Sequence, residues 1–147
     1  MKYFDYPPVW LLAFMALSWG SARLGLEMDL PAWVKIIGGL LILFGLLLMV
    51  LAAFAMWRHR TTLIPHRVPA AIVTNGIYTF TRNPIYLGDA FTLAGFSLLC
   101  GNPAGVALVP VFMAVIRRRF IAEEENWLRT KFHEEFQTWA ENTRRWL

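Results

Sequence analysis

No charged residue interrupts the chain between Lys35 and Arg58. An uncharged apolar run of that length reads as a helix that crosses a bilayer, which takes about 20 residues. A chain built round such a segment satisfies its backbone inside helices, because lipid offers no partners. The rest of the sequence is consistent with this. Hydrophobic residues make up 57% of the 147 and charged residues only 16%, against roughly 25% charged in a soluble domain. Segment 8–26 is a second span, with Ala16 and Gly20 as a small face for packing. Gly38 and Gly45 give segment 33–57 a similar face. Segments 84–100 and 103–122 are shorter and are separated by Gly101-Asn102-Pro103, a turn signal. They read as a helical hairpin, with the last helix running on to about residue 140. The expected fold is therefore all-α: one integral membrane domain of about four transmembrane helices with a long C-terminal helical extension. Residues 1–57 form two N-terminal spans and 58–147 the remaining core.

The net charge of +4 does not indicate nucleic acid. The arginines gather at the ends of apolar segments, where they set orientation. Arg58, Arg60, Arg67 and Arg82 lie in the 58–83 connection, and Arg117, Arg118 and Arg119 end the fourth segment. Glu27 and Asp29 lie in the opposite connection. The positive-inside rule then places both termini in the cytosol, in a plasma or inner membrane. The apolar N-terminus has no small-residue cleavage signal after it and reads as a retained helix. A single cysteine, Cys100, precludes an internal disulfide and leaves too few thiols for a cysteine-based metal site.

Two polar motifs stand out against this apolar background. The first is Asn75-Gly-Ile-Tyr-Thr-Phe-Thr-Arg-Asn-Pro-Ile-Tyr-Leu-Gly88. The second is Glu123-Glu-Glu-Asn-Trp-Leu-Arg-Thr-Lys-Phe132. On a helical wheel, Phe120, Ile121, Leu128, Phe132, Phe136 and Trp139 share one face. Glu124 and Glu125 flank that face, Glu123 points away, and Arg117 lies inward one heptad before Glu124. The 58–83 connection carries His59 and His66 and is long enough to be functional. Asp89 is an ionisable residue within an apolar helix, which makes it a functional suspect.

Together the motifs resemble the integral-membrane methyltransferases of the isoprenylcysteine carboxyl methyltransferase and phospholipid methyltransferase family, over about residues 58–147. Gly76-Ile-Tyr78 and Arg82-Asn-Pro-Ile-Tyr-Leu-Gly88 match one signature. Glu124-Glu125, Leu128, Phe132, Phe136 and Arg144-Arg145-Trp146 match the other. His133 stands where a glycine is usual, and Phe136 and Trp139 where tyrosines are frequent. The resemblance implies S-adenosylmethionine as cofactor and a lipophilic acceptor entering from the bilayer. Its site residues would be Gly76, Tyr78, Arg82, Asn83, Pro84, Tyr86, Gly88, Glu124 and Glu125 for the cofactor. Carboxylates suit its ammonium or ribose hydroxyls, and aromatic faces its sulfonium. Arg117 or Arg118 would hold an acceptor carboxylate; His66 or a glutamate would serve as base for an amine or thiol. The acceptor classes rank as a prenylcysteine-like carboxylate or small lipophilic acid or thiol first, and a phospholipid amine second. A non-catalytic membrane scaffold or a small transporter is the alternative from another class.

Overall fold

The computed structural model describes residues 5–61 and 69–147, all helix, turn and loop. Helix α1 spans Pro7–Ser21 and continues through one wide turn, Ala22–Leu26, where Gly25 takes φ +111°. Helix α2 spans Ala32–Arg58 and α3 Pro84–Leu99. A tight turn at Pro103–Ala107 leads into α4, Leu108–Ile116. A π-type turn at Arg117–Ile121 joins α4 to α5, Ala122–Lys131. Helix α6 is His133–Asn142. The stretch from Pro7 to Leu26 and α2 are long and apolar enough to cross a membrane.

Two of these helices begin with proline for the same reason. Pro7 and Pro84 occupy the first helical turn, where the missing N–H would have no partner and the fixed φ suits a helix.

The elements run up, down, up, down. At one end lie the start of α1, the end of α2, the start of α3 and the α4–α5 junction, where Arg119 meets Asp5 at 3.0 Å. At the other end the Met28 N–H donates to the Gly101 carbonyl over 2.7 Å. Helix α3 is the most enclosed of the three long apolar helices. One face packs into an apolar core with Phe14 of α1 and with Phe112, Ile116, Phe120 and Ile121 of the following helices. Phe14 and Phe112 meet edge to face at 5.4 Å, a favoured aromatic geometry.

The other face of α3 lies against α2, backbone to backbone. A Cβ on Gly45 would stand 2.5 Å from the Gly88 carbonyl, and one on Gly38 would stand 2.9 Å from that of Gly95. The relation is reciprocal, since a Cβ on Gly88 or Gly95 would strike Gly45 or Gly38. Glycines seven apart on both helices thus let the axes approach as closely as two helices can. The hairpin expected between the third and fourth segments exists, but the tightest partner of α3 is α2. The remaining face of α2 exposes Leu40, Leu43, Leu47, Val50 and Phe54, a surface suited to lipid.

At the end opposite the α4–α5 junction, buried polar groups of the described residues pair inside the bundle. The Ser18 hydroxyl donates to Ser97 Oγ at 2.8 Å. Asn102, fully buried, donates to the Ser18 carbonyl and to Ser21 Oγ, each at 2.8 Å. Its Oδ1 accepts from the Gly105 N–H at 3.0 Å. The turn read from Gly101-Asn102-Pro103 is therefore also a clamp between α1, α3 and α4.

The expected single helix to about residue 140 is two helices. Phe132 leaves helical geometry at φ −124°, ψ 49°, and α6 turns back across the segment before α3. No residue from Lys131 to Glu135 is a proline or glycine. The break is set by what α6 packs on, which is the Val73, Tyr78, Phe136 and Trp139 cluster together with Ala52 of α2.

Candidate active site

Between the start of α3, the end of α2, the start of α1 and helices α5 and α6 lies a cavity of about 510 Å³. Its apolar walls include Met49, Ala53, Met56, Ile72, Ile85 and Leu128, and its polar lining includes Tyr78, Arg82, Asn83, Tyr86, Asp89, Glu124 and Glu125. A mostly apolar pocket with a few convergent polar groups is the usual form of a small-molecule site.

Each polar group is placed by a local cause. Gly76 opens a tight turn over Gly76–Thr79 with φ +62°, a left-handed conformation that favours glycine. That turn presents Tyr78, whose carbonyl accepts the Trp139 indole N–H at 2.8 Å. Burial, and then the charge of Glu124, raise the Tyr78 phenol well above its ordinary range. It therefore remains a neutral hydroxyl at any working pH. The Asn83 backbone N–H bonds Thr81 Oγ1 at 3.2 Å, and the helix starts at Pro84. One turn on, the Tyr86 hydroxyl donates to Glu124 Oε1 at 2.7 Å across 38 residues of sequence. This charge-assisted bond joins the two motifs directly.

Glu125 serves a different purpose. Arg145 grips it through Nε and Nη2, at 3.0 and 2.7 Å, and Arg82 approaches at 3.5 Å. The hydrogen bond to Glu125 raises the Arg145 pKa, while burial lowers that of Arg82. The Asn83 side chain donates to the Arg145 carbonyl at 2.9 Å, and the Arg82 N–H to the Arg144 carbonyl at 2.9 Å. The last residues are thus tied to the first motif like a clasp. One donor in this clasp, Arg82 Nε, is buried with no partner among the described residues.

Seven of the nine residues expected to bind the cofactor line this cavity: Tyr78, Arg82, Asn83, Pro84, Tyr86, Glu124 and Glu125. Gly76 shapes the turn behind it, and Gly88 sits in the α2–α3 crossing. Arg117 and Arg118 are exposed and absent from the cavity wall. Arg117 faces a smaller pocket of about 230 Å³ with Arg129 and Arg145. The heptad that put it inward beside Glu124 assumes 3.6 residues per turn. The π-type turn at Arg117–Ile121 inserts a residue and rotates what precedes it by about 100°. His66 lies outside the described residues. His59 caps α2, with Nδ1 at 2.8 Å from the Ala55 carbonyl and Nε2 at 3.3 Å from Asn75 Nδ2. The Nδ1–H tautomer satisfies both.

The site also holds residues that the motifs did not indicate. Met49, Ala53 and Met56 come from the second half of an apolar helix, and Tyr6, Pro7 and Pro8 from the start of another. Nothing in the sequence marks them. Arg145 was visible as part of a basic tail, and Asp89 as an ionisable residue in an apolar segment.

A family model described as phospholipid methyltransferase matches residues 33–135. An uncharacterised protein of Haemophilus influenzae is 35% identical over 63 residues, which is 43% of this chain and the whole of that protein. The family match runs from the first turn of α2 into α6 and includes both motifs whose side chains meet at Tyr86 and Glu124, so the chain belongs to the phospholipid methyltransferase family: integral-membrane enzymes that transfer a methyl group from S-adenosylmethionine to a lipid-type acceptor.

Proposed function

We propose that the 510 Å³ cavity holds S-adenosylmethionine at its polar end and receives a lipophilic amine through its apolar side. The observation that carries this reading is the bond between Tyr86 and Glu124, which brings both motifs to one wall. The lining fits the cofactor. Glu124 accepts from its ammonium or ribose hydroxyls, Arg82 Nε is a buried donor awaiting an acceptor, and the Tyr78 and Tyr86 rings offer faces to a cation. S-adenosylmethionine supplies a methyl group activated on a sulfonium. The chain's part is to align, to exclude water and to place charge. Tyr86 fixes the Glu124 carboxylate, Tyr78 donates from a neutral hydroxyl, and Met49, Ala53, Ile85 and Leu128 keep the reacting centre dry.

The lining also bears on the acceptor. A carboxylate acceptor requires a cation, yet Arg117 and Arg118 are outside the cavity. Arg82, the one arginine lining it among the described residues, turns a terminal nitrogen to Glu125. Three carboxylates line the same space. This charge balance favours an amine over the carboxylate ranked first from sequence. We further propose four membrane crossings, with the cavity and both termini on the cytosolic side. Arg58, Arg60, Arg82 and Arg117–Arg119 all lie at that end, as the positive-inside rule requires.

Calorimetric titration of the detergent-purified protein with S-adenosylhomocysteine tests the pocket. Saturable binding lost in Glu124→Ala is expected; no binding by folded wild type would sink the reading. Labelled methyl transferred into a lipid extract tests the acceptor. Label stable to alkali is expected for N-methyl, whereas label released as methanol would identify a methyl ester and overturn the amine.

A further inference from the structure

We propose that Asp89 is the carboxylate that receives the ammonium of the amine acceptor and takes its proton. The inference rests on the pocket reading above and adds to it a residue outside both motifs.

Asp89 lies five residues beyond Pro84, about 7.5 Å along α3 at 1.5 Å per residue. Its side chain lines the cavity, yet the residue is only 6% exposed. The other carboxylates of the cavity are engaged. Glu124 accepts from Tyr86, and Glu125 is held by Arg145 and approached by Arg82. Among the described residues no hydrogen bond or ion pair engages Asp89. The same cavity is lined by Met49 and Ala53 of α2 and Pro7 and Pro8 of α1, none of which carries a charge, and by the Tyr86 phenol three residues before Asp89 on α3.

A carboxylate this little exposed, with no partner among the described residues, is unfavourable. The cavity in front of Asp89 gives the charge a use. A lipophilic ammonium entering between apolar walls would find one free counter-charge there. With its N–H proton passed to an Asp89 oxygen, the nitrogen lone pair becomes available. The amine then forms the N–C bond to the methyl carbon as the carbon–sulfur bond breaks, and that bonding pair stays on sulfur as a neutral thioether. Nitrogen gains the methyl, Asp89 holds the proton, and no further reagent is required.

The test uses Asp89→Asn, which keeps the size and removes the charge. Native mass spectrometry of the detergent-released protein reads binding of dodecylamine and of dodecanol, while calorimetry reads S-adenosylhomocysteine. Wild type is expected to prefer dodecylamine over dodecanol by about tenfold or more. Asp89→Asn is expected to lose that preference while binding S-adenosylhomocysteine within about twofold of wild type, and Asp89→Glu to retain it. Methyl transfer in Asp89→Asn should fall about 10²-fold, the lower range for a lost general base. An unchanged amine preference in Asp89→Asn, with normal S-adenosylhomocysteine binding, overturns the role of Asp89 and leaves the pocket standing. Failure of wild type to bind S-adenosylhomocysteine overturns the pocket and this inference with it. Should Asp89→Asn not fold, the wild-type measurement decides alone: no preference for the amine over the alcohol overturns the proposal.

Discussion

At the residue scale, the two glutamates that sequence presents as a pair have separate duties. Glu124 faces the cavity under the control of Tyr86, so Tyr86→Phe removes one charge-assisted bond. A loss of about 1.5–3 kcal/mol in stability or in S-adenosylhomocysteine affinity follows, readable by thermal melting and calorimetry; wild-type values in both would refute the role given to that bond. Glu125 belongs to the clasp. Arg145→Ala leaves a buried carboxylate with only the more distant Arg82. Because the Arg145 side chain is one-third exposed, the expected destabilisation is about 1–3 kcal/mol, below the 3–5 of a fully buried pair. In a double-mutant cycle with Glu125→Gln the two effects should be strongly non-additive. Simple additivity would mean that the pair is not coupled.

At the scale of elements, glycine decides which helices touch. Gly45 and Gly88 permit backbone contact between α2 and α3, so Gly45→Val forces them apart. The expected cost is about 1–3 kcal/mol or more, as for other overpacked cores. Gly39, where an added methyl would meet nothing within 4 Å, is the control: Gly39→Ala should be neutral or slightly stabilising, since alanine favours a helix by about 1 kcal/mol. Equal effects at the two sites in a detergent-stability assay would contradict the crossing. Asn102 provides a second case. Asn102→Ala removes the donors to the Ser18 carbonyl and Ser21 Oγ and leaves the Gly105 N–H only the Asn102 backbone carbonyl, at about 0.5–1.5 kcal/mol for each bond lost. Thermal melting should register it although the site lies at the far end of the bundle from the cavity.

At the scale of the molecule, the end that carries most of the arginines and the cavity end coincide. In a Cys100→Ala background, Asp29→Cys should react with a membrane-impermeant maleimide from outside intact cells. Glu134→Cys should react only after the bilayer is opened. The reverse pattern would invert the proposed orientation while leaving the fold untouched. The same geometry sets the route of entry. The apolar side of the cavity is walled by α1 and α2, helices whose outer faces suit lipid, so an acceptor dissolved in the bilayer need not cross water.

By itself the sequence determined the helical class, the long apolar helices, the turn at Gly101-Asn102-Pro103 and the two motifs. It also determined which of Glu123, Glu124 and Glu125 turn inward. These follow from composition and from a period of 3.6, both local quantities. Only the tertiary structure decided the rest. The break at Phe132 has no local breaker and follows from what α6 covers. Arg117 faces away from the cavity because a π-type turn shifts the helical phase, which a regular wheel does not include. Gly88, one residue of a motif, is recruited to a helix crossing because its partner Gly45 lies on a distant segment. Among the described residues Asp89 has no ion pair or hydrogen bond, while the other charges of the cavity found partners far along the chain. Pairings of this kind depend on which surfaces meet in three dimensions, and that information is not carried by any one stretch of residues.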